Sequence, residues 1–154
     1  MDGDIDVRQH PSWFFQDALR MDYSSAIRSK EVGTQDFFVV PRHWFIDAWF
    51  CCERCNGEFC WTKEEQKHWF DKLKLRVDSV PHVCPQCRWR IRKLIDLRKR
   101  YDAEIATALK KSAPIAVKKE MLDLVDRLQS LSNDNIPESI QRNRRTLKNQ
   151  LANE

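Results

Sequence analysis

Glycine is scarce in this sequence, with 3 among 154 residues. Loops that hold phosphate through their backbone need several closely spaced glycines, so no nucleotide-binding motif of that kind can be built. No apolar run approaches the ~18 residues that a membrane-spanning helix needs. Residues 1–6 are acidic and lack the apolar segment of a secretion signal. We therefore expect a cytoplasmic protein, away from membranes, whose six cysteines stay reduced.

Four of the cysteines form two Cys-x-x-Cys pairs, Cys52 with Cys55 and Cys84 with Cys87. A two-residue spacer lets one tight turn direct both sulfurs at the same ion, and four thiolates are a ligand set of structural Zn²⁺ sites. The 28 residues between the pairs exceed the roughly 15 to 20 of the commonest two-pair signature. The pattern predicts one structural zinc site made of two turns.

Other side chains near the pairs are alternative ligands. Cys51 could replace Cys52, but it would leave three residues before Cys55 and fits a tight turn less well. Cys60 is more typical of a buried thiol that behaves as a small hydrophobe. His68 and His82 could also bind a metal, although four thiolates already complete a tetrahedron. The sequence leaves the role of Cys51 and Cys60 open.

The residues between the two pairs predict a small strand and a helix. Phe59, Cys60 and Trp61 are strand-like, and Thr62 with Glu65 forms a capping box that opens a helix. That helix carries Gln66 and the apolar residues Trp69, Phe70 and Leu73 on one broad face. Such an insert can cover the metal-binding turns and return the chain to the second pair.

These motifs together resemble the bacterial "probable zinc-ribbon" family. The elements shared with it are Cys52, Cys55, Gly57, Trp61-Thr62, Glu65-Gln66, Trp69-Phe70, Cys84, Cys87 and Arg88. The chain departs from the family in placing Asn56 where a glycine often follows the first pair. The resemblance covers about a quarter of the chain and implies a zinc-stabilised module, without a reaction or substrate.

Three regions are expected along the chain. Residues 1–35 form a leader whose aromatic cluster, Trp13 to Phe15, we expect to pack on the protein's own core, with a hint of a short helix at Ala18, Leu19 and Ile27. Residues 36–92 form the zinc-ribbon module, which begins with two short strands, Phe37 to Val40 and Trp44 to Phe50, broken at Pro41. Residues 93–154 form a helical hairpin or three-helix tail, which could also pair with a second copy of the chain.

Basic residues concentrate directly after the second cysteine pair. Residues 88–111 carry 9 basic and 3 acidic side chains, net +6, whereas residues 1–50 carry 5 basic and 8 acidic ones, net −3. Clustered cations neutralise phosphates, and an aromatic ring can stack on an unpaired base. The candidate nucleic-acid-binding residues are Arg88, Trp89, Arg90, Arg92, Lys93 and Arg98. A solvated helix without a partner would show the same pattern.

We thus predict an α+β protein, a small four-cysteine zinc ribbon with flanking short strands and a helical C-terminal region. Its expected function is that of a nucleic-acid-binding accessory protein with a structural Zn²⁺. The alternative is an adaptor that binds protein through the aromatic leader and the helical tail. A thiol redox enzyme is less favoured, since two pairs fit a metal better than a dithiol. We expect no catalytic residues, because a four-thiolate site leaves no position for water.

Overall fold

The computed structural model describes residues 6–9, 12–133 and 135–153. It divides into two units, residues 1–87 and residues 88–154. The first combines a small antiparallel sheet with one short helix, and the second is made of helices. The α+β prediction is therefore confirmed.

The sheet of the first unit has three antiparallel strands in the order β1-β2-β3. They are β1 (Arg20–Arg28), β2 (Trp44–Cys51) and β3 (Glu58–Trp61). The central strand β2 pairs with β1 through Ile27 opposite Phe45, and with β3 through Phe50 opposite Phe59. The predicted strands over Trp44 to Phe50 and Phe59 to Trp61 are confirmed.

Two expectations for the N-terminal half were wrong. The segment from Ala18 to Ile27 is not an amphipathic helix, because most of it pairs as β1 along the edge of β2. Phe37 to Val40 form no strand, and only Asp36 makes an isolated parallel bridge, to Arg76. Proline at position 41 contributes to this break, since it has no backbone N–H to give to a ladder.

The helix after β3 begins where the capping box predicts. Thr62 is the N-cap, and its hydroxyl accepts a hydrogen bond from the Glu65 N–H at 3.2 Å. Helix α1 (Lys63–Lys67) continues into one π-helical turn, His68–Lys72. The buried amide of Gln66 donates to the carbonyls of Ile46 and Trp61 and so ties the helix to the sheet. Leu73, expected on the apolar face, is exposed.

The core of the first unit is aromatic and includes part of the leader. Phe14 and Phe15 are buried in it, which confirms that the leader cluster docks on the protein's own core, while Trp13 remains partly exposed. Trp61 is fully buried, with Phe70 at 5.9 Å between ring centres. Aromatic pairs at such distances stabilise a core beyond the area they bury.

A buried arginine lies in the middle of these rings. Arg42 has no exposed surface, and its guanidinium carbon lies 4.5 to 5.1 Å from four ring centres, those of Phe14, Phe15, Trp61 and Phe70. Its Nε donates to the Val77 carbonyl at 2.7 Å and its Nη2 to the Phe14 carbonyl at 2.6 Å. Burial lowers the Arg42 pKa to about 9, so the group still carries its charge at neutral pH. One side chain thus joins the leader to the segment before the second cysteine pair.

In the part of the second unit that the structure describes there are three helices, as the periodicity predicts. Its helices are α3 (Ile115–Leu131), α4 (Glu138–Ala152) and the part of α2 (Pro85–Ala108) that follows Cys87. The buried residues are Leu97, Tyr101, Ala108, Met121, Leu124, Val125, Leu128, Ile136, Ile140 and Leu147. Within the described ranges no helix has the length and apolar character needed to cross a membrane.

Replacing Arg42 tests its role in holding the leader on the core. Arg42→Ala is expected to lower the free energy of unfolding by about 3–5 kcal/mol, since it leaves a cavity and two buried carbonyls without donors. Arg42→Met should recover part of this loss because its side chain still fills the space between the rings. Urea denaturation followed by tryptophan fluorescence measures both variants. A loss below about 1 kcal/mol in Arg42→Ala would contradict the buried position.

Candidate metal centre

The first cysteine pair lies in the turn that joins β2 to β3. Cys52 N–H donates to the Gly57 carbonyl at 2.9 Å, and the Asn56 N–H donates to the Cys52 carbonyl at 2.8 Å. Asn56 has φ of 56°, in the left-handed region that favours glycine and that asparagine tolerates best among other residues. Asparagine at the usual glycine position is thereby explained, because the turn keeps the same backbone shape.

The second pair lies at the start of a helix and not in a second turn between strands. Cys84 directly precedes α2, and Cys87 is in its first helical turn. The Cys87 N–H donates to the Cys84 sulfur at 3.4 Å. The sequence predicted a tight turn for each pair, and the turn of the second pair is the first turn of a helix. A helix start suits a thiolate, because its free N–H groups and dipole favour negative charge.

Hydrogen bonds join the two cysteine segments across the site. The Cys84 N–H donates to the Cys52 sulfur at 3.3 Å, and the Glu53 N–H donates to the His82 carbonyl at 3.0 Å. These contacts position the second pair against the first turn. The contacts between the two segments are thus hydrogen bonds and not a disulfide. All six cysteines are free thiols.

The geometry of the four sulfurs matches a tetrahedral metal site. The sulfurs of Cys52, Cys55, Cys84 and Cys87 all lie within 4.8 Å of one another. Those of Cys55 and Cys84 are 3.9 Å apart. Four sulfurs at the ~2.3 Å bond length of zinc thiolates would be about 3.8 Å apart. Cys52 and Cys84 are buried while Cys55 is exposed, so the centre lies near the surface.

The surroundings of Cys52 favour its thiolate form. Burial of this sulfur opposes ionisation, but hydrogen bonds from the N–H groups of Cys84, Cys55 and Arg54 prevail and lower the Cys52 pKa to about 6. The Cys87 pKa is raised to about 12, first by its hydrogen bond with Cys84 and then by burial. Thiolates are the metal-binding form, so a cation is needed to ionise the whole cluster at neutral pH. Backbone N–H groups thus favour the thiolate of Cys52, whereas a bound cation would favour the thiolate of Cys87.

The alternative ligands lie outside this cluster. Cys51 is exposed at the end of β2, opposite Glu58. Cys60 is on β3, and burial raises the pKa of its thiol. His82 contacts a surface partner instead, because its Nδ1 lies 3.1 Å from a carboxylate oxygen of Glu53. Among the described residues, the four predicted cysteines form the one group of ligands close enough to share an ion.

The predicted nucleic-acid-binding residues all lie in helix α2, but their side chains differ in their partners. Trp89, Arg90, Arg92 and Lys93 are exposed, and the three cations make no ion pair within the described part of the chain. Arg98 is different, since its Nε donates to both carboxylate oxygens of Asp102 at 3.0 and 3.1 Å. The i,i+4 spacing of Arg98 and Asp102 was the sequence signal for this pair.

The comparison with family models concerns the region that contains this site. Residues 46–93 match the model of a probable treble clef domain. The matched region holds all four cysteines, the hairpin of β2 and β3, and the first turns of α2. No match was found among curated proteins or among solved structures. The treble clef match agrees with a first pair in a hairpin and a second pair at a helix start.

Metal analysis tests the ligand set of the region that matches the treble clef model. Purified protein is expected to contain one zinc per chain, and Cys52→Ser or Cys87→Ser should lose both the metal and cooperative unfolding of the first unit. The reason is that small metal domains draw much of their folding free energy from metal binding. Elemental analysis and thermal denaturation measure the two effects.

Cys51→Ser and Cys60→Ser are the matched controls, because each removes a thiol from the same sheet without touching the cluster. Both should keep the metal. Loss of zinc from Cys51→Ser alone would show that the first ligand is Cys51.

Proposed function

We propose that the four cysteines bind a structural Zn²⁺ and that the protein is a nucleic-acid-binding accessory protein, not an enzyme. Four thiolates suit zinc and fill its tetrahedron, which leaves no open position for a substrate or water. When bound, the metal would supply a fixed point that links the hairpin to the start of α2. Six free thiols are also in keeping with the reducing conditions of the cytoplasm.

The nucleic-acid part of the proposal rests on the solvent-facing surface of α2. Positions 89, 92 and 93 are spaced by three and four residues, so Trp89, Arg92 and Lys93 lie on one face of the helix. Trp89 is 57% exposed, although a tryptophan ring normally avoids water. An exposed ring one helical turn from two unpaired cations can stack on a base while the cations contact phosphates.

Charge in the second unit supports the same partner. Residues 88–154 carry 16 basic and 9 acidic side chains, net +7, while residues 1–87 carry 11 and 14, net −3. Several cations of α2 are neutralised locally, such as Arg100, whose guanidinium contacts both Glu104 and Glu120. Arg92 and Lys93 have no such ion pair in the described part of the chain. They can therefore contact phosphates and release counterions without first breaking an ion pair.

The decisive comparison is between unpaired and paired cations of the same helix. Arg92→Gln with Lys93→Gln should weaken binding to a single-stranded oligonucleotide and reduce the salt slope by about 1.4, the value for two lost phosphate contacts. Trp89→Ala should weaken single strands by about 1–3 kcal/mol and duplex by less, because stacking needs an unpaired base. Fluorescence anisotropy across a salt series measures both effects.

Arg98→Gln with Arg100→Gln is the control, since it also removes two charges but takes them from existing ion pairs. It should change the affinity and the salt slope less than the first pair of substitutions. Zinc content and helicity should be equal in all variants. Unmodified protein that binds no nucleic acid even at low salt would contradict the proposal and favour the adaptor alternative.

A further inference from the structure

The segment of residues 36–40 in the first unit exposes large apolar side chains that its core does not use. Phe38 is 93% exposed and Val39 72%, and Phe37 and Trp13 are each more than two-fifths exposed. The other phenylalanines of this unit with described burial are buried. Contiguous apolar surface of this kind, bordered by polar residues, marks sites of interaction.

These side chains border a cavity that can take one more ring. The cavity has a volume of about 150 Å³ and is lined by Trp13, residues 36–40 and residues 76–78. A dry apolar cavity of about 150 Å³ is large enough for benzene. One large apolar side chain of a partner therefore fits the space.

The backbone of the segment has free hydrogen-bonding groups beside this cavity. Asp36 accepts from the Val77 N–H at 3.0 Å in the isolated bridge, and there the pairing ends. In the described part of the chain, none of the N–H groups of residues 37–40 donates a hydrogen bond. The chain bends at Phe38 and Val39, so these N–H groups can donate singly to the carbonyls of a bound peptide and do not form a continuous ladder.

The charges around the cavity select the sign of the partner. Asp36 makes no ion pair with any residue that the structure describes, whereas Asp78 contacts Arg76 at 2.7 Å. Of the two carboxylates that line the cavity, that of Asp36 therefore has no cationic partner among the described residues. A basic side chain next to the apolar residue of the partner would complement it.

We propose that this surface binds an extended peptide segment of another protein, in which a large apolar residue is flanked by lysine or arginine. Carbonyl groups of the peptide accept from the N–H groups of residues 37–40, its apolar side chain enters the cavity, and its basic residue lies beside Asp36. This site is built from residues of the first unit, whereas the proposed nucleic-acid surface is built from residues of the second.

The test uses the full-length zinc-loaded protein and four fluorescein-labelled peptides of the form Ser-Lys-Val-X-Val-Lys-Ser, where X is leucine, methionine, phenylalanine or tryptophan. At least one should bind with a dissociation constant below about 1 mM. Phe38→Ser with Val39→Ser should weaken that binding about tenfold or more, since it removes most of the apolar contact. Asp36→Asn should weaken it less and reduce its salt dependence.

Matched controls separate this surface from general loss of structure. Leu19→Ser changes an exposed apolar residue that does not line the cavity, and Asp17→Asn removes a carboxylate elsewhere in the same unit. Both should leave the affinity within about twofold of the unmodified protein. A peptide with glutamate in place of lysine, or with alanine at X, should bind more weakly.

Three results would overturn the proposal. They are the absence of binding by all four peptides at about 1 mM, equal affinity in the Phe38/Val39 variant, and self-association of the unmodified protein that the same variant abolishes. The last would assign the surface to a second copy of the chain. Loss of nucleic-acid binding in the Arg92/Lys93 variant would not affect any of these measurements.

Discussion

Four sulfur atoms must meet within reach of one ion, although 28 residues separate the two pairs that supply them. That constraint accounts for the arrangement of the matched region. The hairpin turn places Cys52 and Cys55, the insert returns the chain, and the start of α2 brings Cys84 and Cys87 to them. Without a cation, the hydrogen bond with Cys84 and burial raise the Cys87 pKa to about 12, so this thiol stays protonated at neutral pH. The metal is therefore expected to determine whether this part of the chain holds its shape.

The aromatic core of the first unit also helps to bring the two cysteine pairs together. Arg42 binds the carbonyls of Phe14 and Val77, so its guanidinium links the leader to the chain just before the second cysteine pair. Gln66 does the equivalent for α1 and β2. A core of rings alone would leave these buried carbonyls without donors, at a cost comparable to a lost hydrogen bond each. Polar side chains therefore fix where the insert lies.

Much of this structure could be predicted from local sequence patterns. The rest depends on pairing between residues that are distant in the sequence. Cysteine spacing predicted which four sulfurs come together, the Thr62 cap predicted the start of α1, and apolar periodicity predicted the helices of the second unit. Strand β1 was missed because its sequence is largely polar, and it becomes a strand only by pairing with β2. Arg42 was missed for a similar reason. Arginine is almost never fully buried, and nothing in the neighbouring residues indicates that four rings surround it.

X-ray absorption at the zinc edge of the purified protein is the most direct test of the central claim. The account predicts four sulfur ligands at about 2.3 Å and no nitrogen or oxygen ligand, with the same spectrum in Cys51→Ser, Cys60→Ser and His82→Ala. Replacement of a sulfur by a nitrogen or oxygen at about 2.0–2.2 Å, or a changed spectrum in any of those three variants, would contradict a site built from Cys52, Cys55, Cys84 and Cys87.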